Sequence, residues 1–68
     1  MEIVARMLKQ ASSFLSTSGI IIIEVGASAD LLMQRYPNVQ FNWIEFEHGG
    51  DGIFLLTKQE LDQYQSNF

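Results

Sequence analysis

The run Ile20-Ile21-Ile22-Ile23, followed by Glu24-Val25-Gly26, constrains this chain more than any other feature. Four consecutive β-branched residues favour an extended strand. They show no alternation, so both faces of that strand are apolar. Such a strand is normally buried on both faces, as in a parallel sheet covered by helices. The whole chain has 68 residues, and a domain of that size buries only about 60% of the surface its unfolded chain exposes. It contains no cysteine, so neither a disulfide nor a thiolate metal site can add stability. A strand shaped for two-sided cover in so short a chain predicts that part of the cover lies elsewhere.

The flanking segments have clearer periods. Ile3, Val4, Met7, Leu8, Ala11, Phe14 and Leu15 recur at spacings of three and four, which predicts a helix over residues 2–15 with one apolar stripe. Glu2 suits its N-terminus, and Ser16-Thr17-Ser18-Gly19 ends it. After the isoleucine strand, Ser28 is placed to cap a short second helix carrying Leu31, Leu32, Met33 and Tyr36, with Pro37 just beyond its end. Val39 to Phe46 reads as the next strand. Its apolar parity slips after Trp43, which predicts a bulge there or a strand that enters the core only in its second half. Ile53 to Leu56 is a third strand. Thr57-Lys58-Gln59-Glu60 has the form of a capping box, leading a last helix marked by Leu61, Tyr64 and Phe68.

These elements predict an α/β unit of order helix, strand, helix, strand, hairpin, strand, helix. A strand–helix–strand crossover is right-handed in nearly all cases and leaves a one-strand gap. The hairpin returns the third strand into that gap. The expected sheet is three-stranded and mixed, with the last strand in the middle.

Eight acidic and four basic side chains give a formal net charge of -4. Binding to a phosphate backbone requires clustered cations, whereas Arg6, Lys9, Arg35 and Lys58 are scattered along the sequence. No nucleic acid contact is expected through this segment. The longest apolar run is too short to span a bilayer, and Met-Glu-Ile-Val does not begin a secretory signal. No membrane contact and a cytoplasmic location are expected.

Two stretches are candidate sites. Glu45 to Leu56 surrounds the only histidine, His48, with Gly49, Gly50 and Gly52 and with Glu45, Glu47 and Asp51. Phosphate-binding glycine loops run from a strand into a helix. This one joins two strands, and its carboxylates repel phosphate. The stretch lacks P-loop and dinucleotide spacing, and an EF-hand needs more acids at set intervals. Gly49, Gly50 and Gly52 therefore read as a structural hairpin. No metal site and no catalytic residue is assigned. In the second stretch, Glu24 and Gly26 end the isoleucine strand, where ligands of open α/β sheets sit. They are either supporting residues of such a site or the parts of a tight strand-to-helix turn, with Glu24 partly buried and paired.

The stretches GIIIIEVG (residues 19–26), QRYPNV (34–39), FNWIEF (41–46) and GGDGIFLLT (49–57) resemble the C-terminal end of the protein N5-glutamine methyltransferases. The branch they are most similar to modifies a large-subunit ribosomal protein. The resemblance implies the C-terminal edge of a seven-stranded methyltransferase sheet, with residues 1–68 as a single fragment of a catalytic domain. It implies S-adenosylmethionine as cofactor and a ribosomal protein substrate for the intact parent. The family's cofactor loop and its Asn-Pro-Pro-Tyr motif are not in this sequence, where Pro37 is the only proline. Both are expected upstream of Met1. This chain alone is thus expected to bind no cofactor, to be inactive, to lack the upstream part of its own domain as a partner, and to self-associate. The alternatives are an independent acidic interaction module, or a fragment of a DNA adenine methyltransferase sharing the Asn-Pro-Pro-Tyr motif.

Overall fold

The structure, a computed structural model, describes residues 2–45 and 52–68. Helix α1 (Glu2–Gln10) runs through a 3-10 turn, Ala11–Ser13, towards strand β1 (Ile20–Glu24). A second 3-10 turn at Gly26–Ser28 leads to helix α2 (Ala29–Arg35). Strands β2 (Asn42–Ile44) and β3 (Ile53–Thr57) follow, then helix α3 (Lys58–Gln63) and a terminal 3-10 turn. The sheet order is β1-β3-β2, with the last strand central as expected. Both hydrogen-bonded pairs are antiparallel. β1 and β2 therefore share a direction without touching, and the mixed character lies in strand directions only. No helix among the described residues is long and apolar enough to cross a membrane.

Register decides what each strand buries, because directly opposed residues share a face. Ile23 opposes Phe54, which opposes Trp43, and Ile21 opposes Leu56. That face is the core. Phe54 and Leu56 are fully buried there with Leu8 of α1, Leu32 of α2 and Leu61 of α3. Ring centroids of Phe41 and Trp43 lie 4.8 and 5.5 Å from Phe54, both edge-on, the geometry aromatic pairs prefer. Tyr36 continues the aromatic cluster, edge-on to Phe68 at 5.3 Å.

The other face is different. Ile22 opposes Leu55, Glu24 opposes Ile53, and Ile53 opposes Ile44. Ile20 is 48% exposed and Ile22 55%. Each of the three helices contributes its fully buried leucine to the Phe54 side. The isoleucine run is apolar on two faces, but the described residues cover one.

Several expectations needed correction. The bulge at Trp43 is absent: β2 pairs in unbroken register over Asn42–Ile44. It is also shorter than the predicted Val39–Phe46 strand. Val39 and Phe41 are buried ahead of it, outside the ladder. Ser28 occupies the position before α2 but makes no capping hydrogen bond, since the 3-10 turn already occupies the preceding backbone. The α1 stripe is wider than its contact. Leu8 and Ala11 are buried, whereas Ile3, Met7 and Phe14, one step round the helix, are exposed. Gly49, Gly50, His48, Glu47 and Asp51 lie outside the described residues.

The capping box is as the spacing predicts. The Glu60 amide donates to Thr57 Oγ1 at 3.0 Å, and the Thr57 amide donates back to Glu60 Oε1 at 3.0 Å. Asn42 Nδ2 also donates to both Glu60 oxygens and to the Leu55 carbonyl, tying β2 to the start of α3. Partial burial pushes the Glu60 carboxyl up, but the hydrogen bonds from Asn42 and Thr57 outweigh it, and the net direction is down. A carboxyl lowered in the folded state stabilises fully above its unfolded pKa, and that contribution is lost as pH falls through the folded value. Unfolding stability is therefore expected to drop on acidification below about pH 4. Glu60→Gln should flatten this part of the pH profile in urea titrations, and Thr57→Ala should cost about 1 kcal/mol at neutral pH.

Candidate functional site

Glu24 and Gly26 lie at the carboxyl end of β1, as their sequence position requires. Glu24 is exposed, and its Cα faces Ile53. The expected partly buried, paired carboxylate is not found: the ion pairs among the described residues are Arg35 with Glu2 and Lys58 with Asp62. Its alternation with Ile23 places it on the uncovered face with Ile20 and Ile22.

Gly26 has a definite structural task. Its φ is +55°, in the left-handed region that favours glycine. The carbonyl of Gly52 accepts hydrogen bonds from the amides of Val25 at 2.7 Å and Gly26 at 3.2 Å. Gly52 itself has φ +74°. A Cβ on Gly52 would stand 2.3 Å from the Gly26 oxygen and 2.6 Å from its nitrogen. The two glycines form a backbone clasp joining the end of β1 to the start of β3. A Cβ on Gly26 would meet nothing within 4 Å, so its side-chain position opens outward. The sequence shows two glycines 26 residues apart, and no local pattern announces that they touch.

The loop expected to cradle S-adenosylmethionine is not in the sequence, and three cavities among the described residues are lined by residues other than Glu24 and Gly26. No group of three or more His, Cys, Asp or Glu close enough to hold a metal occurs among the described residues.

The fold also gathers cations that are scattered in sequence. Arg6 and Lys9 of α1 and Arg35 of α2 line one open cleft of about 680 Å³ with Glu2, Tyr36 and Gln65. Glu2 and Arg35 approach to 3.9 Å, with both side chains well exposed. The Arg35 guanidinium sits 5.6 Å from the Tyr36 ring, and Gln65 Nε2 donates to the Lys9 carbonyl at 3.2 Å. An exposed pair of this kind is worth about 0–1 kcal/mol. The cleft reads as a solvated seam between α1 and the two segments it crosses.

No protein-family model matches the chain, and no solved structure matches it. Curated relatives do match, two of them as follows. The ribosomal protein uL3 glutamine methyltransferase of Francisella tularensis is 37% identical over all 68 residues, which span 22% of that protein. The ribosomal protein uL3 glutamine methyltransferase of Neisseria gonorrhoeae is 40% identical over 57 residues, 82% of this chain and 19% of that protein. The chain is therefore about a fifth as long as the relatives it matches. Its resemblance to the protein N5-glutamine methyltransferases holds from end to end, in the ribosomal protein branch, at a fraction of their length.

Proposed function

We propose that the chain is the C-terminal portion of an enzyme that methylates a glutamine side-chain amide of a large-subunit ribosomal protein, with S-adenosylmethionine as methyl donor. One observation carries this reading: a chain related to enzymes several times its length leaves one apolar sheet face and the outer edge of the isoleucine strand β1 without cover among the described residues. The missing upstream part of the same domain would supply the cofactor loop, the amide-holding motif and the other strands of a seven-stranded sheet. This chain would contribute the edge of that sheet and the helices on one of its faces. Glu24 and Gly26, at the carboxyl end of β1, would support the site by fixing the strand end beside which the reactants are positioned; positioning is the main source of rate in such transfers. Alone, the chain is inactive.

The test is a chimera. The Francisella tularensis enzyme is rebuilt with this chain replacing the stretch it matches, and transfer of a methyl group to uL3 glutamine is assayed. Activity within about tenfold of the unaltered enzyme is expected. A folded but inactive chimera, or specific binding of S-adenosylmethionine by this chain alone, would overturn the reading.

Isolated, the chain should self-associate, because a bare apolar edge recruits other chains. Sizing at roughly tens of micromolar should show oligomers, and Ile22→Lys should shift them towards monomer without loss of folded signal, since that side chain is 55% exposed. A stable wild-type monomer in that range contradicts this.

A further inference from the structure

The four basic side chains are scattered along the sequence, and on that ground the sequence alone predicts no nucleic acid contact. The fold removes the ground. Arg6 and Lys9 of α1 and Arg35 of α2 line one open cleft, and Glu2 is the only acidic side chain lining it among the described residues. Three of the chain's four cations therefore meet there, in a chain whose formal net charge is -4. The cleft has the opposite sign to the molecule. Charges more than about 10 Å away are largely screened at about 0.1 M salt, so a partner seated in the cleft meets a local excess of cations.

Folding gives no reason for this gathering. Arg6 and Lys9 make no ion pair among the described residues, and Arg35 reaches Glu2 only at 3.9 Å, beyond hydrogen-bond length. All three cations are exposed, where such pairs add little stability and like charges repel. One of them is nevertheless pre-set. The Arg35 guanidinium lies 5.6 Å from the centroid of the Tyr36 ring, and that ring is buried, so the cation rests on a fixed aromatic platform.

The position of the cleft separates it from the candidate site. Arg35 ends α2, away from the Gly26–Ser28 turn. Gln65 follows α3, which leaves β3 at Thr57, opposite Ile20. The cleft thus lies towards the amino end of β1, whereas Glu24 and Gly26 stand at its carboxyl end. It is also distinct from the apolar surface assigned above to the upstream part of the domain, because its lining is charged and solvated.

We infer that this cleft is a docking surface for the phosphate backbone of RNA. Guanidinium groups match phosphate in geometry and shed water readily, and an open cleft suits a continuous polyanion. The inference rests on the reading above, in which the parent's substrate is a ribosomal protein, because such a protein takes its place on RNA. Phosphate contacts fix position without reading sequence. The cleft would hold the enzyme on the RNA beside its substrate while the glutamine is met at the other end of the strand.

The test uses the chimera and a fluorescein-labelled single-stranded RNA of roughly 12 nucleotides, with anisotropy titrations over a salt series. Each phosphate contact on a single strand adds about -0.7 to the slope of log affinity against log salt. Replacing the three cations together, Arg6→Gln, Lys9→Gln and Arg35→Gln, should reduce that slope by about 2 and weaken binding at least about tenfold near 50 mM salt. The loss should be equal for oligo-U and for mixed sequences. Lys58→Gln, which removes the cation outside the cleft, should change affinity less than about twofold. If the triple variant loses its folded circular dichroism, the single substitutions carry the test, each expected to lower the slope by about 0.7. Slopes that do not change, or an equal effect of Lys58→Gln, overturn the inference. So does competition by oligoglutamate as effective as by unlabelled RNA, which would make the partner an acidic peptide. None of these readouts needs methyl transfer. An active chimera that binds RNA regardless of the three cations removes the inference and leaves the proposed function standing; an inactive chimera with cation-dependent binding does the reverse.

Discussion

Phe54→Ala is expected to leave the chain largely unfolded at 25 °C, seen as loss of the cooperative transition in urea. Phe54 is fully buried on the central strand. It touches the aromatic rings of Phe41 and Trp43 and lies opposite Ile23 on one side and Trp43 on the other. Truncating such a phenylalanine removes about 3–5 kcal/mol. Stability of roughly 0.05–0.15 kcal/mol per residue leaves a chain of this length little beyond that loss. Phe41→Leu keeps an apolar group of moderate size in the same cluster and should lose much less. If Phe54→Ala unfolded with nearly wild-type midpoint and slope, the core described above would not be what holds the chain together.

Gly52→Ala should come close in effect, for a different reason. The substitution forces a side chain into φ +74° and drives its Cβ into the backbone of Gly26 at 2.3–2.7 Å. The conformational part alone costs about 1 kcal/mol. The overlap with backbone atoms, which cannot swing aside as a side chain can, adds about 1–3 kcal/mol. Gly26→Ala is the matched control, because it carries the φ penalty at +55° with open space around the new Cβ. Its loss should stay near 1 kcal/mol. Equal destabilisation by the two substitutions, measured by thermal or urea unfolding, would refute the clasp as the reason for Gly52.

Both predictions rest on contacts that differ in how far the sequence announces them. Thr57 and Glu60 stand three apart, and their side chains and amides meet as that spacing requires. The central place of β3 was likewise legible, because a crossover leaves a gap and a hairpin returns into it. Ser28 fits the same kind of rule and fails it, since the turn ahead of α2 satisfies the backbone first. The parity slip after Trp43 suggested a bulge, yet Asn42–Ile44 pair in unbroken register, and the slip only puts Ile44 on the sheet face opposite Trp43.

The candidate site was legible only as a position. That Glu24 and Gly26 stand at a strand's carboxyl end follows from the order of residues. That Glu24 is exposed, and that Gly26 is held by Gly52, does not. The cations Arg6, Lys9 and Arg35 share a cleft only because the fold brings α1 near the end of α2.

Taken alone, the sequence determined the kinds of element, their order, the capping box at Thr57 and an isoleucine strand apolar on both sides. Those are set by interactions within a few residues, which periodicity and side-chain shape encode directly. Only the tertiary structure decided which side of that strand is covered and that Gly26 and Gly52 touch. Each of these depends on where segments distant in sequence come to rest, and that is fixed by the competition among all their apolar faces for a single core.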